Sequence, residues 1–177
     1  MRRDEELPEG IDATSSYPSS RDRKRWIPRL LLAVLLGFIL LGVSNTFGQA
    51  TTTTRAVAPQ ATLVVTAPET LRGGLLYQVL VRVAAAMYIR QARVVLSAGW
   101  FSGLTTNAEV PQPSTQQSID GSTAFSLGSI LPGHHKDLRI YFQVNPTTVA
   151  WNRSQNVELY DGTHQLTKIL RSITVYP

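Results

Sequence analysis

The 177-residue sequence contains no cysteine, which excludes a disulfide framework, a thiolate zinc site, an iron–sulfur centre and a cysteine nucleophile. Histidine is scarce as well. Of the three, His134 and His135 are adjacent beside a Pro-Gly turn and point apart in an extended chain, and His164 has no ligand-type neighbour at metal-site spacing. Carboxylates are thin. Asp120 and Asp161 each precede a glycine in a turn, leaving Glu69, Glu109, Asp137 and Glu158 scattered after residue 62. Gly99-Trp100-Phe101-Ser102-Gly103 approaches the spacing of a nucleophile elbow, but its serine is one place off and no strand-to-helix turn is expected there. The expectation is therefore a chain with no catalytic residues, no metal site and no cofactor, and so not an enzyme.

Long apolar runs are absent too, with one exception. Leu30 to Val43 is fourteen residues without a charge, seven of them leucine. Counted from Ile27 to Phe47 the segment has twenty-one residues, about 31 Å of helix, which matches the hydrocarbon thickness of a bilayer. Five Lys/Arg (Arg21, Arg23, Lys24, Arg25, Arg29) precede the run, whereas Arg55 alone lies within fifteen residues after it. This asymmetry keeps the N-terminus in the cytoplasm and exports the C-terminal part. Trp26 and Phe47 bracket the span as interfacial anchors. A cleaved signal peptide is the competing reading, since Gly48-Gln49-Ala50 supplies small residues for a peptidase, but the leader before the apolar run is long for an n-region. Residues 1–26, with few apolar side chains, are expected to be a disordered cytoplasmic tail, and 27–48 a transmembrane helix.

Thr51 to Gln60, TTTTRAVAPQ, offers nothing to pack and reads as part of a Thr/Pro linker over 49–61. From 62 to 177 the hydrophobic period changes to two, with Gly, Pro, Asn and Asp between short runs. Leu75–Ala86 sets Tyr77, Val79, Val81 and Val83 on one face. Asp137–Val144 does the same with Leu138, Ile140, Phe142 and Val144. Asp161-Gly162 predicts a two-residue hairpin loop in which Tyr160 opposes Thr163, Leu159 opposes His164 and Val157 opposes Leu166. Asp120-Gly121 and Pro132-Gly133 are further turn signals. About seven strands and no helical pattern after residue 50 define an all-β, two-sheet antiparallel sandwich.

An apolar strand, Pro68, the Gly73-Gly74 turn, a long alternating strand and the Asp-Gly hairpins together resemble the immunoglobulin-like (CARDB-type) modules of bacterial cell surfaces, over residues 62–177. The resemblance implies an immunoglobulin-like β-sandwich serving as a spacer, an adhesion unit or a partner-binding domain. The expected molecule is a single-pass protein of the cell membrane, presenting this domain outside for contact with another envelope or membrane protein. The alternative is a secreted binding module released by cleavage after Ala50. The exported part has ten Lys/Arg and six acids, an excess too diffuse to argue for nucleic acid, and no small-molecule ligand is expected.

The segment Gly99–Ser122 breaks the strand rhythm, so it is either a functional loop or hides a strand near Leu104 or Val110. Trp100 and Phe101 at its start are candidate binding residues, with plugging the end of the core as the competing role. Trp151, expected in an exposed turn, is the third candidate.

Overall fold

The computed structural model describes residues 20–43 and 50–177, which form two compact units divided between Thr46 and Phe47. The tail over residues 1–19, the Phe47 anchor and the Gly48-Gln49 part of the cleavage motif lie outside the described residues.

The first unit is helix α1, Ser20–Val43. Over Trp26–Val43 its mean hydropathy is 2.3 and none of the stretch is buried by the chain itself. The helix is thus long and apolar enough to cross a membrane. It begins at Ser20 rather than at Ile27, correcting the disordered tail at residues 20–26. Arg and Lys are good helix formers and extend the backbone ladder outward, although Pro28 lies inside it.

The second unit is all-β, its strands arranged in three sheets. Two five-stranded sheets face each other. The first has the order β1 (Thr51–Val57), β2 (Ala61–Pro68), β4 (Leu76–Ala85), β9 (His135–Val144), β6 (Leu104–Val110), and all of its pairings are antiparallel. The second has the order β12 (His164–Ile169), β11 (Val157–Asp161), β5 (Ile89–Leu96), β8 (Ser122–Ile130), β7 (Gln116–Ile119). A third, small sheet places β13 (Ser172–Tyr176) between β10 (Ala150–Ser154) and β3 (Thr70–Arg72), with β13 and β3 parallel. The expected face of β9 is confirmed. Leu138, Ile140, Phe142 and Val144 are fully buried, and Val79, Val81 and Val83 of β4 join them against Val94, Leu96, Phe125, Val157 and Leu159 of the facing sheet.

Thirteen strands among the described residues replace the expected seven, and each miss has a physical cause. The Thr51–Val57 linker is an edge strand: all seven residues pair with β2, from Thr51 opposite Pro68 to Val57 opposite Thr62. Its threonines are β-formers rather than stalk, and Thr53 and Thr66 join hydroxyls across the ladder at 2.9 Å. The Gly99–Ser122 segment hides β6, whose register shifts between Thr106 and Ala108, and β7, which returns through Asp120-Gly121. Both turn residues have positive φ, 49° and 74°, as a type I′ loop requires. As edge strands, β6 and β7 bury one side at most, so apolar alternation is weak.

The last hairpin is offset from its expected register. Asp161 pairs with His164 across Gly162-Thr163, and Leu159 faces Thr167 because Leu166 is bulged out. Asp161 is pulled into the ladder from the other side. Its carboxylate accepts from the Gln91 amide at 2.8 Å, while the Gly162 amide donates to the Gln91 carbonyl at 2.9 Å.

Candidate functional site

The aromatic candidates separate by burial. A single 3-10 turn, Ala98–Trp100, follows β5 and drives the Trp100 ring fully into the core. This close packing needs glycine at 99, where a Cβ would stand 1.9 Å from the Ser154 carbonyl oxygen. Phe142 is the hub: its ring lies 5.6 Å from Tyr77, 6.2 Å from Trp100 and 5.9 Å from Phe101, the last edge-on. The Trp100 indole N–H donates to the Asn156 carbonyl at 3.1 Å, so its polar atom is satisfied without a ligand. Trp100 therefore plugs the core and is corrected as a contact residue, because no face of it reaches solvent. Phe101 is half-buried in the same cluster. Burial pushes the Tyr77 phenol well above its usual range, with Gln155 and Arg153 working in the opposite direction.

Trp151 is different. It sits on edge strand β10 rather than in a turn, is 67% exposed, and stands edge-on to Tyr176 of β13 at 5.2 Å. Val149, 48% exposed, precedes it. Trp100→Ala should cost about 3 to 5 kcal/mol of stability, whereas Trp151→Ala should change it by less than about 0.5 kcal/mol. Urea unfolding of the two variants decides; equal losses would contradict this division.

Other polar groups are engaged in the fold. His134 places Nδ1 3.1 Å from the Pro132 carbonyl, and His164 closes the last hairpin. Among the described residues no three His, Asp or Glu side chains gather as metal ligands. The Arg82 guanidinium makes a two-pronged contact with Asp137 at 2.7 and 2.8 Å and holds that carboxyl below its ordinary range. On the outer face of the second sheet, Lys168 and then Tyr160 lower Glu158, and Arg93 lies 5.3 Å over the Tyr160 ring. A cleft of about 310 Å³ opens beside the 111–114 loop, flanked by Ser126, Lys136 and Asp137.

One element that sequence reasoning missed is Arg171, which lies between β12 and β13 with a side chain only 2% exposed. Its guanidinium reaches β1 and β2, and burial lowers its pKa while Glu69, 3.7 Å away, works the other way. No local pattern around Leu170-Arg171-Ser172 signals this.

The described residues form an all-β sandwich and, as a separate unit, an apolar helix. No protein-family model matches the chain, and no curated protein matches it. Among solved structures, a match is the crystal structure of a GH20 exo β-N-acetylglucosaminidase from Vibrio harveyi in complex with N-acetylglucosamine. The TM-score is 0.28 at 8% identity, over 72% of this chain, which spans 18% of that protein's length. This match to an enzyme corrects the expectation of a chain without catalytic activity, and that expectation is set aside. At such a TM-score the likeness assigns no reaction, substrate or residue to the chain.

Proposed function

We propose that the chain is a single-pass membrane protein, N-terminus in the cytoplasm, that presents its β-sandwich outside the membrane for contact with another envelope or membrane protein. The observation that carries this reading is the apolar stretch Trp26–Val43, none of it buried by the chain itself, with five cationic residues between 21 and 29 ahead of the uncharged run Leu30–Val43. The resemblance to bacterial surface modules supports the interaction role.

Secretion after cleavage at Ala50 is the second reading, favoured by one observation: β1 begins at Thr51, so a cut there leaves every strand in place. Protease added to intact cells distinguishes the two. The anchored protein should lose its sandwich and leave a membrane-bound stub of roughly 5 kDa, the helix and its leader. A mature chain beginning at Thr51 that washes free of membranes would overturn the anchor.

A further inference from the structure

We propose that the end of the sandwich bearing Val149, Trp151 and Tyr176 docks onto the headgroup region of the lipid bilayer. The proposal rests on the anchored reading above.

Strand register identifies that end. Thr51, the first residue of β1, pairs with Pro68, and Thr174 donates its amide to the Glu69 carbonyl just beyond. Tyr176 pairs with Arg72, and Val175 with Ala150. The start of β1 and the end of β2 therefore lie towards one end of the body, and β3 and β13 run on past them to Arg72 and Tyr176, beside the start of β10. The opposite end carries the turns after β1, β4 and β8, joined by Met87 to Gln60 and Gly133 to Ala85 backbone bonds at 3.1 and 2.8 Å. A seven-residue strand, about 23 Å long, separates the two ends.

The chemistry of the first end suits a bilayer interface. Trp151 and Tyr176 pack edge to face, Val149 and Leu75 add exposed apolar surface, and Arg72 is exposed beside them. Tryptophan and tyrosine pair an apolar ring with a polar atom, which favours the headgroup level, and arginine there meets lipid phosphates. Chain connectivity selects lipid over a protein partner. Seven residues, 44–50, separate the last helical residue from Thr51, at most about 25 Å of extended chain. A tether of that length gives the end of the body where β1 begins a millimolar effective concentration at the bilayer, so weak ring insertion is enough. Met87 and Tyr88 at the far end, each 54% exposed, have no such tether.

The cysteine-free chain allows a direct test, because one introduced thiol takes all the label. The full chain carrying Val149→Cys, or in a separate preparation Met87→Cys, is labelled with an environment-sensitive fluorophore and reconstituted into phosphatidylcholine vesicles, with and without phosphatidylglycerol. At position 149 the emission should shift to the blue, and quenching by headgroup-region nitroxide lipid should be about threefold stronger than at position 87. Adding Trp151→Ser to Val149→Cys should remove most of that difference. Equal quenching at the two positions, with the chain still resisting alkaline extraction, overturns the docking and leaves the anchor standing. Release of the chain by alkaline extraction overturns the anchor and the docking together.

Discussion

Phe142→Ala is expected to destabilise the sandwich by about 3 to 5 kcal/mol, a large part of the 5 to 15 kcal/mol that holds a domain of this size together. The ring is fully buried towards the C-terminal end of β9 and touches three other aromatic rings, from β4, the 3-10 turn and the residue after it. Truncation removes the apolar burial of the ring and leaves a void that Tyr77 and Trp100 cannot fill together, since Trp100 is fixed by its bond to Asn156. Tyr141→Ala, one residue away on the solvent face and 37% exposed, should cost far less. The measurement is urea unfolding followed by circular dichroism. Comparable losses in the two variants would mean that the outward face of the first sheet is covered as well.

That contrast was legible in the sequence because β9 and β4 are central strands. Each has a neighbour on both sides and one face on the core, so Leu138, Ile140, Phe142 and Val144 recur at every second position and Tyr77 through Val83 do the same. The Asp120-Gly121 turn was legible for a different reason: two consecutive positive φ values need residues of that kind. The edges were not. β1, β6 and β7 pair on one side only, and their threonines, asparagine and glutamines give a ladder without an apolar face. The last hairpin slipped because a contact 70 residues away in sequence, Gln91 to Asp161, outweighs the local preference of Asp-Gly for the turn. Of the candidate contacts, Trp151 keeps an accessible face and Trp100 does not. Nothing in a Trp-Phe dipeptide distinguishes a core plug from a surface anchor; the close approach at Gly99 decides it.

Arg171→Ala should loosen β1 before the rest of the body and cost about 2 to 4 kcal/mol overall. The buried guanidinium donates from Nη1 to the Thr52 and Val65 carbonyls at 3.1 and 3.2 Å, and from Nη2 to the Ala67 carbonyl and the Thr52 hydroxyl at 2.7 and 2.9 Å. One cation thus ties β1 and β2 to the start of β13. Hydrogen bonds to a charged donor contribute more than neutral ones, and their acceptors here have little water to turn to. Glu69 is the weaker partner, since its carboxylate is 53% exposed and 3.7 Å away, so Glu69→Gln should change stability by less than about 1 kcal/mol. Arg171→Lys should rescue little, because a single ammonium cannot span acceptors on two strands. Hydrogen exchange is the direct readout: amides of Thr51–Val57 should lose protection in Arg171→Ala while those of β9 keep most of theirs, because β1 is an edge with β2 as its ladder partner. Uniform loss across both strands would show that Arg171 supports the whole core, and a loss from Glu69→Gln as large as that from Arg171→Ala would show that the ion pair holds β1.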